Sequence, residues 1–483
     1  MKNKSIKVNA ILNIIKQMFT ILFPIITVPY VSRILQTENY GKYNFGNSVI
    51  SYFSLLASLG ITNYAIREGS RVRDDRDKIN KFSNEVYSIN LIATIVSYII
   101  LLIAIVLSTK LNQYVNLILV QSISIILTTL GADWVNSIYE DYFYITMRYL
   151  IIHIISLCAM FLFVRTTEDY VIYAAISVFA SSGGNILNLF YIRKYVYLKF
   201  TIHTNYKVHL QRMILFFASS IMATVYINSD MLMLGFMCSE YSVGVYSLAT
   251  RIYTVIKLTL NSMVVVTLSR LSLYLGRGNY EKYTTLTNKV FNALLFIILP
   301  AIVGLCMLSS EIILIVGGDD YANGYTALRI LGIAAGFAVF ASFYFNCIIL
   351  PYKKEKISLY ASTISALVNV ILNFLIIPIL NYNGAALTTL ISEVIVFFIY
   401  IYSSRKLHKT MVPRNNIRGT FLGSVFIFVI CFTCKIMVDN LYYRVIIAVF
   451  ASMFTYFIIQ FLFKNTIVIQ AIVQVNTYIK RKT

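Results

Sequence analysis

Four basic side chains of this chain lie inside long apolar runs, where a charge is costly. They are Lys16, Arg251, Lys257 and Arg329. A cation near the middle of a membrane costs about 2.5–3.5 kcal/mol on insertion scales, so such residues usually face a water-filled cavity or a substrate path. We therefore predict that they line a cavity, together with Arg67 at the end of the second run. For Arg67 and Arg329 the alternative is a side chain that reaches the membrane surface.

A cavity lined by cations predicts an anionic ligand. Arginine pairs with phosphate oxygens through two parallel hydrogen bonds, and lysine adds a compact positive charge. Phosphate or diphosphate is therefore the group that fits best. A diphosphate that carries sugars and a lipid tail would place its head on the cations, its sugars on polar side chains and its tail in the bilayer.

Three acidic residues lie in or near the apolar runs, at Asp133, Asp230 and Glu393. Carboxylates at such positions can carry a proton or Na⁺ in a transporter coupled to an ion gradient. Alternatively, each neutralises a neighbouring Lys or Arg. The first run also contains Pro24 and Pro29, which remove backbone hydrogen bonds and predict a bend. That bend is either a moving gate or a static kink.

Motifs of enzymes and metal sites are missing from the sequence. It has no P-loop, GxSxG or HExxH pattern. Cys431 and Cys434 form a single CxxC without a second pair or a nearby histidine. Asp319 and Asp320 lie among glycines, as is typical of a turn. We predict a protein that is not an enzyme and that needs neither a metal nor a cofactor.

The elements that must position these residues are membrane-spanning helices. Of the 483 residues, 58% are hydrophobic and 13% are charged, whereas a soluble domain is about half apolar and a quarter charged. A spanning helix needs about 20 apolar residues. The apolar runs between residues 9 and 463 predict an all-α polytopic membrane protein with about 14 transmembrane helices.

Lys and Arg collect in alternate loops, which predicts the orientation of the chain. The opposite loops hold few basic residues, namely Arg33, Lys42, Lys110, Arg165, Lys435 and Arg444. By the positive-inside rule, the basic loops and both termini are cytoplasmic. The same pattern explains the net charge of +21 without nucleic acid, because no basic stripe with interleaved aromatic residues lies on a soluble domain.

A faint internal repeat predicts two halves. Gly41-Lys-Tyr43 opens the second run and Gly244-Val-Tyr246 opens the eighth, and Ala174-Ala175 and Ala385-Ala386 are spaced by a similar offset. Parallel repeats of this kind are typical of transporters that bind substrate between their halves. We predict two six-helix bundles and a terminal helix pair with a cytoplasmic tail. Their bounds are 1–200, 201–410 and 411–483.

Several segments resemble bacterial polysaccharide flippases of the Wzx type. They are Asn9 to Asn13 with Pro24 to Leu35, Tyr40 to Tyr43, Tyr64 to Glu68, Gly131 to Arg148, Tyr226 to Gly235, Val243 to Thr250, and Asn369 to Glu393. The resemblance implies the multidrug/oligosaccharidyl-lipid/polysaccharide exporter superfamily and its fold of two six-helix bundles plus a terminal pair. It also implies movement of an oligosaccharide unit linked to undecaprenyl diphosphate from the inner to the outer leaflet.

We therefore expect a flippase of the bacterial inner or plasma membrane that works by alternating access for capsule, exopolysaccharide or O-antigen assembly. Lys16, Arg251 and Lys257 would capture the diphosphate. Expected partners are the bilayer, the lipid-linked oligosaccharide, a proton or Na⁺ gradient, and a polysaccharide polymerase with its assembly proteins. The alternatives are a multidrug cation antiporter, a peptidoglycan precursor flippase and, from another class, a membrane glycosyltransferase or polymerase. That last class would need a large outer loop with catalytic residues.

Overall fold

The computed structural model describes residues 6–202, 205–470 and 472–473, and the regular elements within these ranges are helices. The helices are α1 (Ile6–Ser58), α2 (Ile61–Val72), α3 (Arg76–Leu107), α4 (Thr109–Asn112), α5 (Val115–Gly131), α6 (Trp134–Ile138), α7 (Tyr142–Phe163), α8 (Tyr170–Val178), α9 (Gly184–Tyr191), α10 (Tyr206–Met237), α11 (Glu240–Gly276), α12 (Tyr280–Met307), α13 (Ser309–Gly317), α14 (Tyr325–Phe343), α15 (Lys356–Ser404), α16 (Arg414–Met437) and α17 (Leu441–Leu462). A π turn (Phe179–Gly183) joins α8 to α9. The predicted all-α class is confirmed.

Helices of membrane-spanning length account for most of the described residues. Eleven helical segments among them are long and apolar enough to cross a membrane. Two of these contain a turn in the backbone, at Gln36 in α1 (φ 58°) and at Asn381 in α15 (φ 49°). The apolar helix α5 is shorter, with 17 residues. If α1 and α15 each count as two spans and α5 counts as one more, the eleven segments become fourteen spans. The number of fourteen spans stays a prediction.

The helices expose apolar side chains where a soluble protein would carry polar ones. Ile95 and Leu102 on α3 are 59% and 51% exposed, and Phe450 and Phe454 on α17 are 69% and 72% exposed. Such surfaces need lipid contact, and helices satisfy their own backbone hydrogen bonds within it. The protein is a multi-pass membrane protein.

One compact unit of the chain comprises Met1–Ser247. In it α1 packs against α3, α5, α7, α8 and α10. The short helix α2 is amphipathic and buries Ile61, Tyr64 and Ala65 against a cluster that includes Val86 and Trp134. Burying these apolar side chains fixes the end of α1 to α3 and α6.

The second unit comprises Leu248–Thr483. One hydrophobic cluster of this unit lies between α12, α14 and α15, around Ile298, Val339 and Phe343. Helices α16 and α17 pack against each other, and α16 also packs against α12. The boundary between the units falls inside α11, whereas the sequence placed the start of the second bundle at residue 201. Helix α10 packs on α1 and α2, and the three-part division stays a prediction.

Candidate functional site

Lys16 lies in α1 beside an aromatic cluster on α7. Its side chain is half-buried, and Nζ is 5.5 Å from the centroid of the Tyr149 ring. The Tyr149 hydroxyl shares a hydrogen bond of 3.1 Å with Thr20 Oγ1, one turn after Lys16. In the part of the chain that the structure describes, no carboxylate forms an ion pair with Lys16. Its charge is therefore available to an anion.

Lys257 is held by a buried carboxylate. Its Nζ donates to Glu393 Oε1 at 2.6 Å, and the Tyr253 hydroxyl donates to the same oxygen at 2.7 Å. The Glu393 side chain is 5% exposed and that of Lys257 is 27% exposed. The pair joins α11 to α15 and is neutral overall. The structure therefore brings together two of the sequence-predicted site residues, in the arrangement expected of charge partners.

Asp133 is the partner of Arg148. Arg148 Nη2 donates to both carboxylate oxygens of Asp133, at 2.6 and 2.7 Å, and Asn188 Nδ2 donates to Asp133 Oδ1 at 2.9 Å. The backbone places Asp133 there because α5 ends at Gly131 and Ala132 adopts a left-handed conformation (φ 44°). Arg148 is 8% exposed, and its Nη1 is buried without a hydrogen-bond partner. A buried guanidinium nitrogen without a hydrogen-bond partner costs free energy, unless another group accepts a hydrogen bond from it.

Two further predicted site residues, Asp230 and Arg251, lie on helices that follow each other along the chain, α10 and α11. Asp230 is buried and accepts a hydrogen bond of 2.6 Å from the Tyr246 hydroxyl, which ties α10 to α11 within the first unit. Arg251 lies in α11 with an exposed side chain in the second unit. Asp230 therefore has a defined structural contact, and its role in ion coupling stays a prediction.

Arg67 lies in the middle of α2, and Arg329 lies one turn after the start of α14. Arg329 Nε donates to the Cys306 carbonyl at 3.1 Å and to Ser309 Oγ at 2.9 Å, where α12 ends and α13 begins. Arg67 Nε donates to Glu68 at 2.9 Å, and its guanidinium lies 5.0 Å from the Phe216 ring centroid. Arg67 is exposed, as the alternative of a side chain that reaches the surface expects, whereas Arg329 is half-buried and fastens the start of α14 to the end of α12.

The backbone of α1 stays helical at both prolines. The one residue with non-helical angles inside α1 is Gln36, seven residues after Pro29. Pro24 and Pro29 are both half-buried. The turn in this helix therefore lies beyond the prolines, and their role as a gate stays a prediction.

A buried hydrogen-bonded chain on α2, α3 and α10 went unpredicted. The Tyr64 hydroxyl shares a hydrogen bond of 2.8 Å with His209 Nδ1, and His209 Nε2 lies 2.8 Å from Glu85 Oε2. One helical turn further along α2, Glu68 accepts from Arg71 at 3.0 Å and lies 3.6 Å from Arg212. These contacts fasten α2 to the start of α10.

Sequence reasoning also missed Tyr149, His153 and Arg148. His153 lies 137 residues from Lys16, so no local pattern joins them. A histidine within a predicted span was a usable signal, because ionisable residues in spans are rare. Among the described residues, no three His, Cys, Asp or Glu side chains cluster as a metal site would require.

The chain is similar to known transporters and flippases. The family model described as polysaccharide biosynthesis protein matches residues 6–272, and the MatE model matches residues 216–375. A curated relative, the "Putative O-antigen transporter" of Escherichia coli (strain K12), is 23% identical over 427 residues, which cover 85% of this chain and 97% of the relative. None of these names describes an enzyme.

Two solved structures share the fold. "Lipid II flippase MurJ, inward closed conformation" has a TM-score of 0.73 at 17% identity, covering 95% of this chain and 99% of that chain. An inward-facing multidrug resistance MATE family transporter of the MOP superfamily has a TM-score of 0.61 at 15% identity, covering 82% of this chain and 97% of that chain. Since the first family model covers more than half of the sequence, the chain belongs to the polysaccharide biosynthesis protein family, in agreement with the resemblance to Wzx-type flippases read from the sequence.

Proposed function

We propose that the protein moves an oligosaccharide unit linked to undecaprenyl diphosphate from the cytoplasmic to the outer leaflet of a bacterial cell membrane. Both termini are then cytoplasmic, and the two units alternate access to opposite sides. The observation that carries the proposal is Lys16, a half-buried cation in an apolar helix that no described carboxylate neutralises. Such a residue fits an anionic head group that arrives with its own charge.

The head group has a second candidate contact at Arg251, whose side chain is exposed on α11. Arginine suits phosphate because its planar group forms two parallel hydrogen bonds. Lys257 contributes less free charge, since Glu393 neutralises it. We therefore place Lys16 and Arg251 first in capture of the diphosphate, with Lys257 as a support.

The similarity to a polysaccharide family and to an O-antigen transporter supports a saccharide-bearing substrate over a drug. Coupling to a proton or Na⁺ gradient and assembly with a polysaccharide polymerase are part of the proposal. A cation antiporter would need a free acid in its cavity, whereas Asp133 and Glu393 are each paired with a base.

The test is a gene deletion in the host, complemented with variants. The native gene should restore the surface polysaccharide, and Lys16→Ala with Arg251→Ala should reduce it at least about tenfold, because each charged contact contributes about 1.5–3 kcal/mol. The lipid-linked intermediate should accumulate on the inner leaflet. Lys207→Ala, which removes an exposed cation at the start of α10, is the matched control.

Protein abundance must be equal in all strains. A surface polysaccharide that survives deletion, together with a changed sensitivity to cationic drugs, would instead support the antiporter. Full rescue by the double variant would contradict the assignment of Lys16 and Arg251 to the head-group site.

A further inference from the structure

His153 is a buried histidine inside a membrane-spanning helix. Of the three histidines that the structure describes, it is the one that lies within a candidate span, Tyr142–Phe163. It is 8% exposed, and its ring stacks on that of Tyr149 with centroids 3.8 Å apart. Phe23 of α1 meets the imidazole edge-on at 4.8 Å. The ring is therefore fixed next to the tyrosine over which Lys16 lies.

The hydrogen bond of His153 decides which nitrogen is basic. Nδ1 lies 2.9 Å from the backbone carbonyl of Tyr149. A carbonyl oxygen only accepts, so Nδ1 carries a hydrogen and donates it. The lone pair of the neutral ring is then on Nε2. A proton taken up by His153 must bind at Nε2.

The charges around His153 disfavour that proton as long as no anion is present. Helix α1 contributes Lys16, and α7 itself contributes the Tyr149 hydroxyl and Arg148, whose guanidinium is paired with Asp133. The other segments packed against α7 are residues 134–138 and 170–191. Neither contains Lys, Arg, Asp or Glu, and the second contains three tyrosines. A proton on His153 would therefore add a second positive charge to a buried site without a nearby free carboxylate.

An anion bound at Lys16 would instead favour the protonated form of His153. A diphosphate brings at least two negative charges, which attract both Lys16 and a protonated His153. We propose that His153 takes up a proton when an anionic diphosphate head binds at Lys16, so that binding of the proton and binding of the head group favour each other. The inference rests on the proposed function and adds a residue that binds a proton to its head-group site. Linkage requires the converse as well: lower pH must strengthen binding of the anion.

The experiment measures binding of farnesyl diphosphate to the full chain in detergent by calorimetry. Titrations in two buffers of different ionisation enthalpy give the number of protons taken up. The native protein should take up more than His153→Gln, by at most one proton, and the probe's own titration cancels in that difference. Affinity of the native protein should fall by up to about a hundredfold more than that of the variant between pH 6 and pH 8, since one linked proton allows up to about tenfold per pH unit.

Two further variants keep the test independent of how well His153→Gln folds. Tyr149→Phe retains the backbone carbonyl that holds Nδ1, so it should keep the proton uptake. Lys16→Gln removes the cation that attracts the diphosphate to the side of His153, so binding of the probe should weaken and proton uptake should fall. Equal uptake by the native protein and His153→Gln would overturn the inference and leave the proposed function intact. Failure of the native protein to bind the probe would contradict both.

Discussion

At the scale of single residues, charges in the apolar interior are mostly used in pairs. Glu393 is buried with Lys257, and Asp133 is chelated by the buried Arg148. Two ions removed from water recover that cost only through close contact, and losing one partner leaves the other stranded. This rule separates Lys16, which pairs with no carboxylate among the described residues, from Lys257, whose charge is already matched.

The Lys257–Glu393 pair predicts a double-mutant result. Lys257→Met alone leaves a buried carboxylate without its cation and should cost about 3–5 kcal/mol of stability. Glu393→Gln in the same chain removes that charge, so the double variant should recover most of the loss. Thermal unfolding in detergent measures both. Independent, additive losses from the two substitutions would show that the pair does not form.

Residues such as these are only partly visible in a sequence. Charges are rare in apolar runs, so the sequence draws attention to Lys16, Lys257 and Glu393. A role for Glu393 as the partner of a base is one of the two interpretations that the sequence leaves open. The partner of Glu393 could not be named, because 136 residues separate it from Lys257. Arg148 could not be identified as the partner of Asp133 either, because the two are 15 residues apart and α6 lies between them.

At the scale of elements, two glycines let helices meet backbone to backbone. A Cβ atom on Gly41 of α1 would overlap the Glu240 carbonyl and lie 2.9 Å from the Gly244 nitrogen. A Cβ atom on Gly244 of α11 would overlap the Thr37 carbonyl. These glycines come from the two motifs of the internal repeat, so the repeated residues make one close crossing within the first unit.

Gly41→Ala and Gly244→Ala should therefore each destabilise the protein by about 1–3 kcal/mol, because the helices must separate to admit a methyl group. The matched control is Gly304→Ala in α12, where a Cβ atom meets nothing within 4 Å. That change should be neutral or should stabilise by up to about 1 kcal/mol, since alanine favours helix. Equal unfolding temperatures for Gly41→Ala and Gly304→Ala would contradict the close crossing.

The contact between α2 and α10 predicts unequal effects from two of its polar residues. His209→Ala leaves Glu85 and Tyr64 buried without their shared partner and should cost about 1–3 kcal/mol. Glu68→Gln frees Arg67, Arg71 and Arg212, whose side chains are 49–69% exposed and can turn to water. Its cost should stay below about 1 kcal/mol. A larger loss from Glu68→Gln, measured by unfolding, would reverse this ranking.

At the scale of the whole molecule, the element boundaries repeat along the chain. Helix α3 begins at Arg76 and α12 at Tyr280, 204 residues later, and α5 begins at Val115 and α14 at Tyr325, 210 residues later. These offsets agree with the 203 and 211 read from the sequence motifs. Periodicity and composition therefore revealed the helical class and the repeat, whereas the position of the unit boundary within α11 depends on packing that no local pattern records.

Four of the basic residues that lie outside the basic loops form ion pairs in the structure. Lys42 pairs with Glu38 and Lys110 with Glu240, while Lys435 and Arg444 both pair with Glu311. The positive-inside rule concerns Lys and Arg that resist translocation. In the folded chain these four basic residues are neutralised by carboxylates, and the orientation stays a prediction.

Glu311 also fastens the terminal helix pair. Its carboxylate lies 3.2 Å from both Lys435 Nζ on α16 and Arg444 Nη1 on α17, and it accepts a hydrogen bond of 2.8 Å from Ser310. Burial alone would raise the pKa of Glu311, but the hydrogen bonds from Ser310 and the backbone amide and the charge of Lys435 outweigh burial and lower it. A lowered pKa means that the folded state favours the ionised form.

This stabilisation is complete above the pKa of Glu in the unfolded chain, about 4.3, and is lost as the pH falls through the lower folded value. Glu311→Gln should therefore cost about 3–5 kcal/mol at pH 7, because two largely buried cations lose their partner. It should also flatten the fall of the unfolding temperature on acidification below about pH 4.3. Asp319→Asn, which changes an exposed acid on the same predicted outer face, should leave both quantities unchanged. Parallel curves for the native protein and Glu311→Gln would mean that the helix pair is held by apolar packing alone.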